Sequence, residues 1–432
     1  MNILIVGSIA REHALAAAYA KSKKVKKIIV VPGNSLISAK IKKVQIEPTV
    51  GVTDFDSILK LIKKYKIDLV EPASDDPLAE GFIDKLQALG IKAFGPTQKA
   101  AEIEWNKDWS RHFMKKYKLP IPHYETFSDT KKAIKYVKNL EEQVLYIKAS
   151  GLALGKGAIR AENKKEAIAA INSMKSFGKA GETFLIEECM VGEEFSLFAI
   201  CDGENYQIVG TAQDHKTVYD HDKGPNTGGM GCVSNPKIVT PKVVRQVEQT
   251  ILKPFMKGMK EEGRAYVGIL YLGAMVTKTG IKIVEFNARW GDPEAEVLVP
   301  AIKTDYLTIV EAVLNKKLDG IKIQRDNLSR ISVAGCSLGY PIDYSSVKGK
   351  IVTGLEKAAK LPGITIFGAG IAKKGRNFVA HGGRVFQVVA QGKTLVQARD
   401  KAYKAMAMIS IQGNNLHFRT DIGWRDLERG NL

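Results

Sequence analysis

The sequence predicts a multidomain protein of the α/β and α+β classes, with an amino-terminal α/β domain on a parallel sheet and a carboxyl-terminal α+β domain. Three observations carry that prediction. A chain of 432 residues with 45% hydrophobic content is too long for one ordinary core, so two to four domains follow. The amino-terminal quarter alternates apolar strands with helical stretches, the βαβ rhythm of a parallel sheet that binds ligands near its strand carboxyl ends. Beyond it, short strands bracket a glycine-rich loop and a strand carrying spaced polar residues.

In chain order, residues 1–7 form an apolar strand that stops at Gly7, and residues 14–20 a helix of small and apolar residues. Residues 27–32 are the next strand and give way to Pro32-Gly33-Asn34, which is turn chemistry. Strands recur at 67–70 and 91–94, separated by helical stretches at 55–65 and 78–89. A dinucleotide fingerprint needs glycines where Ile9 and Glu12 stand, so the first loop does not read as an NAD site. A long helical segment runs from Lys107 to Lys118, and the two prolines of residues 119–122 mark a boundary. From Thr126 to Cys189 the pattern is a compact α+β unit, with a helix from Asp129, a strand at 144–148, the glycine loop, a helix from Lys164 and a strand at 183–187. A larger unit continues to about Ile323. The remainder alternates short strands, residues 382–389 among them, with a final helix at 395–409. The expected domains are 1–104, 105–323 with a small subdomain at about 123–190, and 324–432.

Charge and cysteine usage narrow the function classes. Lysine and arginine total 65 against 46 acids, a net charge of +19. The lysines are scattered along amphipathic segments such as 21–27 and 60–66, without interleaved aromatics, which favours a solvated basic surface that gathers anionic substrates over a nucleic-acid interface. Cys189, Cys201, Cys232 and Cys336 contain no CxxC pair, so neither a disulfide framework nor a zinc site is signalled. No apolar run approaches roughly 18 residues and no signal-peptide pattern opens the chain. A cytoplasmic protein without membrane or nucleic-acid partners, monomeric or a small homo-oligomer, is expected.

Chemistry concentrates in three stretches. Glu285 and Asn287 stand two apart in a strand pattern and so share a face. A carboxylate and an amide oxygen suit a hard cation such as magnesium, which usually arrives with nucleotide phosphates. KASGLALGKG at 148–157 puts Lys148 at a strand end and Lys156 among Gly151, Gly155 and Gly157, a loop whose N–H groups and lysines suit phosphate oxygens although it is not a P-loop. Glu187 and Glu188 end the following strand, Cys189 and Met190 suit packing on a flat base, and Glu193 and Glu194 lie just beyond. Acids at such a junction can accept hydrogen bonds from an adenine amino group and ribose hydroxyls, or stand as surface residues. Residues 212–231 combine Asp214, His215, Lys216, Asn226 and Thr227 with Gly228, Gly229 and Met230, a composition suited to an irregular loop closing over a polar substrate. His215 and His221 lack a third nearby zinc ligand.

Together these motifs resemble the phosphoribosylamine–glycine ligases, a purine-biosynthetic family of ATP-grasp enzymes. The matching segments are REHAL (11–15), PGN (32–34), FGPT (94–97), KASGLALGKG (148–157), IEE (186–188), QDHK (213–216), GPNTGGMG (224–231), EFNARWGDPE (285–294) and DIGWR (421–425), in collinear order over essentially the whole chain. The resemblance implies an ATP-grasp module at 105–323 whose small lid subdomain clamps ATP, and ligation of glycine to 5-phosphoribosylamine through glycyl phosphate. It further implies ATP contacts at Lys107, Lys148, Gly155, Lys156, Gly157, Glu187, Glu188, Met190 and Glu194, with magnesium, or manganese in its place, on Glu285 and Asn287. Arg11, Glu12, His13, Asp214, Lys216, the 226–230 loop, Arg289 and Asp292 are then expected around glycine and the amine, and Lys156, Glu285, Asn287 and Arg289 in the catalytic role. The alternatives are an ATP-grasp ligase for another carboxylate and amine, or a nucleic-acid-binding protein.

The chain departs from the family pattern at Ile9 and Ala10, which replace two glycines, and at Ala73-Ser74-Asp75 in place of Gly-Pro-Glu. Ser150 stands where the family has aspartate, and Asn106 where it has serine. These changes bear mainly on the amine substrate's phosphate site.

Overall fold

The computed structural model describes residues 1–153 and 157–429. Its amino-terminal sheet is parallel, in the order Val44–Ile46, Lys27–Pro32, Asn2–Gly7, Leu69–Pro72. Asn2–Gly7 is apolar on both faces because both are covered: Ile3 and Ile5 join one buried cluster, Leu4 and Val6 another. The helix Ala10–Lys21 starts where the Glu12 carboxylate reaches back to the Ile9 amide, at 2.7 Å. Residues 91–94, expected as a strand, supply only a single bridge, Val70 to Ala93. The helical segment expected from Lys107 is one of a pair, Gln98–Trp105 and Lys107–Lys116, separated by Asn106, whose side chain caps the second through the Trp109 amide.

The small unit that follows is a four-stranded antiparallel sheet in the order Tyr124–Phe127, Phe184–Glu188, Leu145–Ala149, Ala158–Ala161. Helices Thr130–Asn139 and Lys164–Ser173 pack behind it on their own apolar cluster, which includes Val137, Ile147, Ile171 and Phe184. Asp129 caps the first helix by accepting from the amides of Lys131 and Lys132.

The largest element is a nine-stranded antiparallel sheet. Its path runs Gly280–Asn287, Val267–Thr277, Gly192–Asp202, Tyr206–Asp214, Gly231–Ser234, Ser329–Ser337, Arg384–Gly392, Ile364–Gly368, with Leu416–His417 paired to Ser329–Ser337. Hydrogen bonding passes without interruption from Gly231–Ser234 to Ser329–Ser337, so strands from either side of residue 323 share one sheet. Residues 212–231, expected to lack regular structure, instead contain a hairpin of Thr217–Tyr219 and Lys223–Asn226 joined by a 3-10 turn at Asp220–Asp222. Threonine, valine and tyrosine at 217–219 have strand propensity, and Gly224 takes a φ of +83° at a point where Tyr219 leaves no room for a Cβ. Among the described residues no helix is long and apolar enough to cross a membrane.

Candidate active site

The small sheet and the edge of the large sheet face each other across a cavity of about 430 Å³. Lys107, Lys148, Glu285, Glu194, Lys216 and Asp214 line it together with Tyr146, Met190 and Gly157. Gly155 and Lys156 lie outside the described residues.

Strand alternation puts Glu285 and Asn287 on one face of Gly280–Asn287. Burial pushes the Glu285 carboxyl up, but Lys216, Lys107, Lys148 and Arg289 outweigh it and hold the group below the usual carboxylate range. Among the described residues no hydrogen bond or ion pair engages that carboxylate. Asn287 is 8% exposed, and its Oδ1 accepts only a long bond from Arg289, at 3.4 Å. An unspent carboxylate beside an amide oxygen fits a hard divalent cation. Among the described residues no cluster of three His, Cys, Asp or Glu side chains could hold a metal alone, so phosphates and water would complete the shell, which is the habit of magnesium.

The lysines around Glu285 are placed by burial and pairing. Lys107 opens the helix Lys107–Lys116, and its amide donates to the Ser150 carbonyl at 2.9 Å, just past the strand Leu145–Ala149 that carries Lys148. Desolvation lowers its pKa, with Glu285 opposing. Lys148 Nζ lies 2.6 Å from Glu187 Oε2, while Arg111 grips Glu187 at 2.6 and 3.0 Å and also donates to the Val284 carbonyl at 2.8 Å. Burial alone would raise Glu187; Arg111 and Lys148 reverse this and hold it at about 2. Both Glu187 oxygens are therefore spent on protein cations, so its contribution here is to fix Lys148. Glu188 is exposed at the cavity wall and Met190 half-buried beside it. Lys216 pairs with Glu194 at 2.6 Å, and the carboxylates of Glu194 and Glu285 raise its pKa against the opposing effect of burial.

The glycine-rich loop after the hairpin closes one side. Thr227 is tied twice to the Lys216 carbonyl, through its amide at 2.7 Å and its hydroxyl at 2.8 Å. Asn226 and Thr227 line the cavity. Gly228 and Gly229 present their carbonyls to Arg384, which also pairs with Asp292 at 2.8 Å. Met230, expected at the substrate, is instead wholly buried in the carboxyl-terminal core against Cys336, because the chain re-enters the sheet at Gly231. Asp214 lines the cavity with one carboxylate oxygen unpartnered; burial, then Glu294, pushes its pKa well up.

Arg11, Glu12 and His13 are spent on the scaffold. Arg11 donates to Glu12 at 2.6 Å and to the Trp290 carbonyl at 3.2 Å, Glu12 caps its own helix, and His13 Nδ1 accepts from the Gly368 amide at 2.9 Å. All three are at most 5% exposed. Asp292, at the Arg384 ion pair, also accepts from the Arg11 amide at 3.2 Å. Arg289 pairs with Glu104 at 2.8 Å, not with the nearby Asp292 or Glu294.

Sequence reasoning missed Glu104, Arg111 and Arg384. Arg111 carried a usable signal, since it lies one helical turn beyond Lys107. Glu104 and Arg384 reach the site from distant elements and carried none.

A small antiparallel lid sheet set over a large sheet, with lysines converging on an acid at the sheet edge, defines the ATP-grasp class. Family models agree: the phosphoribosylglycinamide synthetase N domain matches residues 1–104, its ATP-grasp (A) domain 105–295 and its C domain 330–425. The chain belongs to the phosphoribosylglycinamide synthetase family. It is 38% identical to the phosphoribosylamine–glycine ligase of Caldanaerobacter subterraneus subsp. tengcongensis, covering 98% of this chain and 99% of that one. It is 40% identical to the trifunctional purine biosynthetic protein adenosine-3 of Gallus gallus, over 98% of this chain but 42% of that longer protein. The solved phosphoribosylamine–glycine ligase of Thermotoga maritima superposes with a TM-score of 0.81 at 29% identity, covering 98% of this chain and 100% of that one. The biotin carboxylase domain of Hydrogenobacter thermophilus 2-oxoglutarate carboxylase, solved with MgADP, shares the fold at TM-score 0.72 and 16% identity over 100% of this chain and 97% of that one.

Proposed function

We propose that this chain joins glycine to 5-phosphoribosylamine at the expense of ATP, giving glycinamide ribonucleotide, ADP and phosphate. One observation carries the reading: Lys107, Lys148 and Lys216 line, with the unspent carboxylate of Glu285, a cavity walled by the lid sheet, and their charges together with that of Arg289 act on that carboxylate. Full-length likeness to proteins named for this reaction supports the choice of substrates.

Glycine's carboxylate is a poor electrophile, so it first attacks the γ-phosphate of ATP, breaking the bond to ADP and forming glycyl phosphate. Lys107 and Lys148 supply positive charge where phosphoryl oxygens gain negative charge; Glu187 already holds the Lys148 ammonium, and the Ser150 carbonyl fixes the backbone from which Lys107 projects. Glu285 and Asn287 are the residues to hold a divalent cation, which when bound neutralises charge on the transferring group. The amine of phosphoribosylamine then attacks the acyl carbon and expels phosphate. No side-chain nucleophile takes part. The lid sheet shields the acyl phosphate from water, which would otherwise hydrolyse it. A cytoplasmic setting belongs to the same proposal, supported by four unpaired cysteines.

The test is detection by mass of glycinamide ribonucleotide from ATP, magnesium, glycine and freshly made phosphoribosylamine, with each component omitted in turn. ADP release that persists without glycine, or product made equally well from another amine, would overturn the substrate assignment.

A further inference from the structure

Arg419 is 0% exposed, and every polar group of its side chain is committed. Nε and Nη2 grip the two oxygens of Asp421, each at 2.7 Å. Nη1 reaches across to the hairpin, to the Thr217 carbonyl at 3.2 Å, the Thr217 hydroxyl at 3.0 Å and Asp222 Oδ1 at 3.1 Å. Thr217 and Asp222 both line the ligand cavity. The arginine therefore bears directly on two cavity-wall residues while having no exposed surface of its own.

Its neighbours extend the same contact. Thr420 donates to Asp220 at 2.8 Å through its amide, Asp421 accepts from the His221 amide at 2.7 Å, and His417 Nε2 bonds the Val218 carbonyl at 2.9 Å. Arg425, itself lining the cavity, pairs with Asp222, and Arg429 pairs with the cavity-lining Glu193. The carboxyl-terminal segment thus backs the first strand and the turn of the hairpin, with arginine set against Asp222 and Glu193 of the cavity wall. Lys216, which pairs with Glu194, immediately precedes the hairpin, and Tyr146, Glu188 and Met190 share that cavity. A flat base and its sugar fit among such aromatic, thioether and acid groups, whereas phosphates fit nearer Lys107 and Lys148.

We infer that Arg419 is a positioning residue for nucleotide binding, acting through Thr217 and Asp222 to hold the hairpin wall against the base-and-sugar end of the cavity. The inference rests on the ATP-dependent reading but not on the identity of the amine.

The experiment measures ATP binding by calorimetric titration in magnesium buffer, beside steady-state KM values and thermal unfolding. Arg419→Lys keeps the charge but loses the fork that spans Asp421 and the hairpin. ATP affinity is expected to fall about tenfold, the size of one lost charge-assisted bond network, while kcat at saturating ATP and the glycine KM stay within about twofold. Unchanged ATP affinity, with or without a lower Tm, overturns the inference, since a purely structural arginine would move only Tm. Should that variant not fold, Asp222→Asn at the half-exposed turn leaves the Arg419–Asp421 pair in place and is expected to weaken ATP about fivefold. Unchanged affinity there overturns it equally. Wild-type protein that binds ATP but forms no glycinamide ribonucleotide defeats the substrate reading alone; wild-type protein that does not bind ATP defeats both.

Discussion

Arg289 Nη2 lies 2.8 Å from Glu104 Oε1, so the arginine just past the end of the Gly280–Asn287 strand is anchored to the Gln98–Trp105 helix. The other Glu104 oxygen accepts from the Ala288 amide at 2.7 Å, which makes the carboxylate a bracket for the whole strand end. Arg289 Nε has no partner among the described residues, and its Nη1 donates to the Trp290 carbonyl at 3.2 Å. The guanidinium is held from one side and keeps a buried donor in reserve, which suits a carboxylate ligand.

Arg289→Lys is expected to raise the glycine requirement about tenfold and slow acyl-phosphate formation, because an ammonium cannot hold Glu104 and a ligand in one plane. Glu104→Gln is expected to weaken glycine to a lesser degree and to lower stability by about 2 kcal/mol, below the usual figure for a broken buried pair because Arg289 retains some solvent contact. Glycine-dependent ADP formation with parallel thermal melts checks both. An unchanged glycine response with a large loss of Tm would leave Arg289 a structural residue only.

Glu285→Gln preserves size but removes the anion on which the site's cations converge. Phosphoryl transfer is expected to slow at least about 100-fold, with nucleotide binding changed far less. Single-turnover ADP formation across a magnesium titration is the measurement, and normal turnover at limiting magnesium would sink the metal role.

His215 gives a pH prediction. Its Nε2 accepts from the Gly423 amide at 3.0 Å, and burial, then Arg419 and Arg425, lower its pKa from 6.5 to about 3. The folded state thus binds fewer protons than the unfolded state between those values. Stability from this group is complete above pH 6.5 and is lost as pH falls toward 3, at about 1.4 kcal/mol per pH unit. Glu71 works in the opposite sense: burial raises it from 4.5 to about 7, so its contribution is lost as pH rises through that window. The clean observable is a difference. His215→Gln is expected to make the urea-melt stability less steep in pH by about 1.4 kcal/mol per unit between pH 4 and 6, and parallel curves would refute the assignment.

Gly229→Ala tests the loop. Gly229 has φ +107°, and an added Cβ would stand 2.5 Å from Pro293 Cδ and 2.7 Å from Asp214 Oδ1. The loop must move off both, at a cost of about 1–3 kcal/mol of strain. Activity is expected to fall more than stability, with the loss read as a raised KM for glycine or the amine and little change in ATP affinity. Equal losses for all three substrates would point to general unfolding of the site.

What could be read in the chain follows from how local each signal is. Period-two alternation in a run of strand formers made the shared face of Glu285 and Asn287 visible, and the capping aspartate announced the helix after Asp129. The hairpin at 217–226 was hidden because its glycine, proline and acids look like a connector. Met230 was misread for a similar reason: four neighbouring glycines implied a substrate loop, and only the re-entry of the chain at Gly231 buries that side chain.

The amino-acid sequence by itself determined the parallel amino-terminal sheet, the lid-like α+β unit and the chemical kinds of residue that the cavity holds, since each rests on a short-range pattern of hydrophobicity, turn formers or spacing. Only the tertiary structure decided what those residues touch. Glu187 is consumed by Arg111, Arg289 is anchored on one side by Glu104, and the hairpin wall is held by Arg419 from some two hundred residues away. Partners in such pairs are chosen by which buried charge lies within reach once the sheets have packed, because an unpaired ion in the interior costs several kcal/mol. Nothing in the local spacing of either member records that choice.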